Sequence, residues 1–148
     1  MDKKRQTPDP VPTEELLSML QDARSLALFM EQTGENLPNT STAEYLSQLL
    51  KAYSLTRHEV IEQAGLERST GYQIFSGQRN PKRDALLRIA LVMRLTPAET
   101  QRLLKIAQRG ELYPKNRRDA AILYCVQHRI GLIEAEILLE EINEPLLR

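Results

Sequence analysis

The stretch Thr56 to Gly77, TRHEVIEQAGLERSTGYQIFSG, decides how the rest of the chain is read. It opens on Thr56, an N-cap residue, with Glu59 three positions on, the spacing at which side chain and backbone satisfy each other's donors in a capping box. Val60, Ile61 and Ala64 then form an apolar face, and Gly65 stops the helix. A second helix follows at once: Leu66 is apolar, Glu67 or Arg68 opens it, and Ile74 and Phe75 give it a buried side. Two helices joined by three or four residues that include Gly make a helix-turn-helix signature. Gly71 lies inside the second helix, where Gly costs about 1 kcal/mol relative to Ala. It implies either close packing of the two helices or a bend in the second.

Outward from this pair the helical pattern continues on both sides. Ser41 or Thr42 caps a preceding helix that carries Tyr45, Leu46, Leu49, Leu50 and Tyr53 at helical spacing. After Gly77 come a loop, Gln78 to Pro81, and a helix from Lys82 or Arg83 to about Met93 with Leu86, Leu87, Ile89, Ala90 and Val92. A further helix runs from Thr96 to about Gln108, with Thr96 as N-cap, Pro97 at the favoured first position and Glu99 completing a capping box. The unit over 41–110 thus has five helices.

In Thr56, Glu59, Val60, Ala64-Gly65-Leu66, the polar opening Glu67-Arg68-Ser69-Thr70, Ile74, and Gly77 followed by Arg79 and Pro81, the chain resembles the lambda-repressor-like (Xre, Cro/CI) helix-turn-helix family. The resemblance covers about residues 41–109. Gly71 stands where that family usually has an apolar residue, and Phe75 where it often has Glu. The resemblance implies duplex DNA as partner, with the second helix laid in the major groove. With Ile74 turned inward at 100° per residue, Arg68, Ser69, Tyr72 and Ser76 face outward and Gln73 sits at the edge. Arg68, Ser69, Tyr72 and Gln73 are therefore the candidate base readers, Arg suiting guanine and Gln adenine. For Tyr72 the alternative is an aromatic packed on the protein surface. The resemblance further places Thr56, Arg57, Arg79, Lys82 and Arg83 on the phosphate backbone. Arg83 has a competing structural use, pairing with an acidic neighbour, because Arg118 precedes the same Asp-Ala in a region where no DNA contact is expected.

That region is a repeat. A shift of 35 residues lays Arg83-Asp84-Ala85 on Arg118-Asp119-Ala120, Arg94 on Arg129, Glu99 on Glu134 and Leu103-Leu104 on Leu138-Leu139. Residues 111–148 are accordingly expected to form a helical hairpin repeating the 80–107 unit and stacked on it. The joining loop, Leu112 to Arg118, mixes aromatic and basic residues; it either touches nucleic acid or is simply solvated. At the other end, residues 1–12 combine cations and prolines without an apolar face and read as a disordered tail. Residues 13–40 read as an amphipathic helix, striped by Leu16, Leu20, Ala23, Ala27 and Met30, and a linker. The fold class expected is all-α: a five-helix lambda-repressor-like domain with an extra N-terminal helix and a C-terminal hairpin.

Composition bounds the function. The chain has 148 residues, 41% of them apolar, and a net charge of zero. Residues 51–110, however, hold 11 Lys/Arg against 5 Asp/Glu, an excess of +6 that coincides with the helix-turn-helix and suits a polyanion. No run of 18 apolar residues exists and no secretion signal is apparent, so neither a membrane nor export is expected and the location is read as cytoplasmic. The single Cys, Cys125, shares a helix face with Ile122 and Val126 and reads as a small hydrophobe. No metal cluster, phosphate-cradling loop or nucleophile-base order stands out, so no enzyme, cofactor or metal is expected. The first reading is a sequence-specific DNA-binding transcriptional regulator acting as a homodimer. The other is a protein-interaction module on the same architecture, with a protein partner met through 13–32 or 119–148.

Overall fold

In the computed structural model, residues 41–148 are described; the expected tail at 1–12 and the helix and linker over 13–40 lie outside them. Among the described residues the regular structure is all helical: α1 (Thr42–Ala52), α2 (Arg57–Gln63), α3 (Arg68–Ser76), α4 (Arg83–Met93), α5 (Pro97–Ile106), α6 (Arg117–Gln127) and α7 (Leu132–Glu141). None of these helices is long and apolar enough to cross a membrane.

Local chemistry sets the helix ends. Ser41, Thr56 and Thr96 each accept the N–H of the glutamate three residues on, and Glu44, Glu59 and Glu99 return the bond, which closes capping boxes on α1, α2 and α5. Each such cap is worth about 1 kcal/mol. Asn116 caps α6 through the Asp119 N–H. Glu67 caps α3, its carboxylate accepting both the N–H and the hydroxyl of Thr70. Gly65 and Gly77 end α2 and α3 in left-handed conformation, with φ of +67° and +88°.

The core joins all seven helices. α1 packs on α3 and α5, and α2 packs on α3 and α4. Leu46, Ile74, Leu86, Leu87, Ile89, Leu103 and Leu104 are fully buried where apolar stripes of the helices meet. Polar contacts fasten α1 to α5: the Tyr53 hydroxyl donates to the Glu99 carboxylate, and the Arg102 guanidinium lies 5.3 Å from the centre of the Tyr45 ring. Burial, and then the Glu99 carboxylate, push the Tyr53 hydroxyl up to about 12. Cys125 is a free, buried thiol on α6, and burial raises its pKa.

The hairpins α4–α5 and α6–α7 exchange equivalent contacts, a geometry that differs from a stack of helical repeats. Arg83 of α4 grips Asp119 of α6 in a two-pronged pair at 3.0 and 2.9 Å, and Arg118 of α6 grips Asp84 of α4 in the same way at 3.3 and 3.1 Å. Each guanidinium also holds the exit of its own hairpin. Arg83 donates to the carbonyls of Gly110 and Glu111, Arg118 to those of Pro145 and Leu146. Each aspartate takes one further N–H, Asp119 from Tyr113 and Asp84 from Arg148. Every bond therefore has a counterpart displaced by 35 residues, the separation at which Arg94 also donates to the Arg129 carbonyl. Non-glycine residues with positive φ recur in the same register, Arg94 with Arg129 and Gln108 with Asn143. Because residue i of one hairpin meets residue j of the other and j meets i, the hairpins are related by a local twofold. A solenoid repeats by translation and never exchanges partners in this way.

Candidate nucleic-acid interface

The α2–α3 pair is built around one close approach. A Cβ added at Gly71 would stand 2.6 Å from Cγ2 and 2.9 Å from Cγ1 of Ile61, distances real Cβ atoms do not show. α3 runs unbroken through this position, Gly71 N–H donating to the Glu67 carbonyl at 2.7 Å. Close packing thus accounts for the glycine: α2 lies directly on the α3 backbone. Gly71, Ile74 and Phe75 form the buried side of α3, so Phe75 serves the core.

The opposite side of α3 carries the candidate readers. Arg68 and Ser69 are exposed in its first turn. Arg68 lines a shallow cleft of about 200 Å³ with His58, Ile61, Glu62 and Leu66, between the start of α3 and α2. Gln73 is half-buried, and its Oε1 accepts from Arg79 Nε at 3.0 Å. Ser76 donates to the Gln73 carbonyl. Tyr72 is half-buried against α2: its hydroxyl lies 3.3 Å from His58 Nδ1, and the Arg57 guanidinium sits 5.4 Å from its ring centre. A cation over an aromatic face at this distance is attracted by the ring quadrupole. His58 in turn approaches Glu62 at 3.5 Å.

The residues expected at phosphate separate into two groups. Thr56 caps α2, and Arg57 lies beside it over Tyr72. Arg79 reaches Gln73, and Lys82 occupies the N-cap position of α4 with an exposed side chain and no capping bond. Among the described residues, Arg57, Arg68, Arg79 and Lys82 make no hydrogen bond or ion pair with a carboxylate. Arg83 belongs elsewhere, its guanidinium committed to Asp119, Gly110 and Glu111. At the start of α6 Arg118 is likewise committed to Asp84, and Arg117 pairs with Glu144 at 3.4 Å.

Three further groups shape this region. Glu67 places a carboxylate at the front of α3, held below its usual range by the Thr70 N–H and hydroxyl. The spacing Glu67 to Thr70 is the one signal for it in the sequence. His58 meets Tyr72 fourteen residues away, a contact with no sequence signature. Arg88 donates to the Ala64 carbonyl at 2.6 Å, to Glu136 and to the Leu147 carbonyl, which ties the α2–α3 turn to α7 and the last residues. The chain matches no protein-family model, no curated protein and no solved structure.

Proposed function

We propose that α1–α5 form a five-helix lambda-repressor-like helix-turn-helix unit that binds duplex DNA sequence-specifically and regulates transcription, with α3 in the major groove. The observation that carries this reading is the division of the cations. Among the described residues Arg57, Arg68, Arg79 and Lys82, all exposed around α2 and α3, are in no ion pair with a carboxylate, Glu67 acting on Arg79 only at longer range, whereas Arg83, Arg88, Arg117 and Arg118 are each paired. Exposed cations left out of ion pairs around one helix suit a phosphate backbone, and their binding releases counterions.

Within this reading Arg68 and Ser69 read base edges from the first turn of α3. Gln73 offers its NH₂ donors while Arg79 occupies its carbonyl oxygen, which favours an acceptor such as purine N7 over the two-bond pairing with adenine. Arg79 and Lys82 hold phosphate past the end of α3. Arg57 does so at the start of α2, with Tyr72 as the platform beneath it. Two chains occupy one palindromic site, each filling a half-site.

Selection of bound sequences from random duplexes tests the proposal. Enrichment of one palindromic motif is the expected result, with choice at one position per half-site relaxed in Arg68→Ala. Recovery of no motif, together with no binding at low salt, would overturn it.

A further inference from the structure

The local twofold gives each residue of the α6–α7 hairpin a counterpart in α4–α5, and the two hairpins differ most on one face. In α4–α5 that face is covered by α1 and α2. Leu86, Ile89 and Met93 of α4 are buried, and Arg102 of α5 lies against Tyr45 of α1. Their counterparts Ala121, Tyr124, His128 and Ile137 are each more exposed among the described residues. Ile89 is 0% exposed, whereas Tyr124 in the equivalent position is 50% exposed; Ile137, in the position of Arg102, is 51% exposed. Leu138 is half-buried where Leu103 is fully buried. Tyr124, Ile137 and Leu138 thus leave apolar surface open where the counterpart face is closed.

The charge that α7 sets around the patch is one-sided, while on α6 the Tyr124 ring lies against His128 with 4.1 Å between ring centres. Glu134, Glu140 and Glu141 flank Ile137 at helical spacing, all three exposed, and α7 contains no cation. None of the three has an ion-pair partner among the described residues. These carboxylates repel a phosphate backbone. They also oppose a second copy of the same face, which would set like charges against each other.

We infer that the α6–α7 face, centred on Tyr124 and Ile137, docks one amphipathic helix of a partner protein, apolar where it meets them and flanked by Lys or Arg. A helix is the occupant because the equivalent face of α4–α5 is covered by helices of this same chain, α2 on α4 and α1 on α5, the latter through a stripe that includes Tyr45, Leu46, Leu49 and Leu50. The basic flanks answer the three glutamates. A helix laid into an apolar groove by residues one and two turns apart is a common mode of protein recognition. This inference goes beyond the DNA reading and does not rest on it.

The test uses the full chain and a synthetic peptide of about five helical turns, with a leucine stripe and lysine flanks, beside a matched peptide with glutamate flanks. Isothermal titration is expected to show the lysine peptide binding at least about tenfold more tightly, with an affinity that falls as salt rises. Ile137→Glu and Tyr124→Ser, both at exposed positions, are each expected to weaken it about tenfold or more while leaving the melting temperature and duplex binding unchanged. Equal binding of the two peptides, binding of neither, or retention of the lysine peptide by both variants would overturn the inference. So would self-association of the chain without peptide that Ile137→Glu abolishes, since the occupant would then be a second copy. Unchanged duplex binding in these variants keeps a failure here separate from a failure of the DNA reading.

Discussion

Two sets of arginines are used differently in this molecule, one around α3 and one where α4 meets α6. Around α3, Arg57, Arg68 and Arg79 touch an aromatic ring, a shallow cleft and a glutamine amide, and among the described residues none is in an ion pair with a carboxylate. In the paired hairpins, Arg83 and Arg118 each spend their guanidinium on an aspartate and two main-chain carbonyls. The same side chain is a charge offered outward in one region and a structural clasp in the other. What separates them is an aspartate brought from 34 or 36 residues away, so a basic stretch counted along the chain overstates the charge left for a polyanion.

The contrast breaks first at Asp119. Its carboxylate is almost completely buried and accepts three donors. Asp119→Ala should therefore strand Arg83 and the Tyr113 N–H and cost about 3 kcal/mol or more, read from urea unfolding. Asp84→Ala should cost less, because the Arg118 bonds are longer and Asp84 is more exposed. Equal, small losses of under about 0.5 kcal/mol would reduce both clasps to ordinary surface pairs.

Next in size is Gly71→Ala. Helix propensity favours Ala by about 1 kcal/mol, yet the new Cβ would drive into Ile61, and overpacking costs about 1–3 kcal/mol. We expect net destabilisation, and a double variant with Ile61→Ala that costs less than the two single changes added together. A stabilised Gly71→Ala would show that α2 yields easily and that the close approach does not fix the angle of α3.

Arg68→Ala should lower affinity for the preferred duplex by about 1–3 kcal/mol without moving the melting temperature, since its side chain is exposed and makes no carboxylate pair among the described residues. A loss that is the same for every sequence would move Arg68 from base edge to phosphate.

The smallest effect is a pH dependence. Burial alone would raise the Asp119 carboxyl, but the Arg83 bonds, the Tyr113 N–H and the nearby Arg118 charge outweigh it and leave the pKa below its ordinary 3.8. A depressed folded-state pKa adds stability that is fully present above the unfolded value and is lost as pH falls through the folded one. Thermal unfolding between neutral pH and pH 2 should thus show an acid loss whose Asp119 share is absent in Asp119→Asn. Identical acid limbs in the two proteins would remove Asp119 as the origin.

What could be read from sequence was local. The capping boxes at Thr56 and Thr96 join residues three apart, so spacing and residue type were enough to place α2 and α5. Arg-Asp-Ala at 83 and 118 announced the repeat, because identical residues recur at one shift. Its twofold exchange of partners was not legible: a shift by 35 fits stacking by translation as well as rotation, and only the meeting of Arg83 with Asp119 decides. The same limit held at the candidate interface. Helical geometry turned Arg68 and Ser69 outward, whereas the capture of Tyr72 by His58 and Arg57, and of Gln73 by Arg79, depends on how two segments lie together.

The division between the two sets of arginines is tested most directly by the salt dependence of duplex binding for the native chain, Arg79→Ala and Arg118→Ala. The native chain is expected to bind with a steep negative slope of log affinity against log salt. Arg79→Ala should reduce that slope by about one unit, the loss of one phosphate contact, with its melting temperature held. Arg118→Ala should lower the melting temperature and leave the slope of the folded protein where it was. Salt-insensitive binding by the native chain, or a slope that falls for Arg118→Ala and holds for Arg79→Ala, would contradict the account.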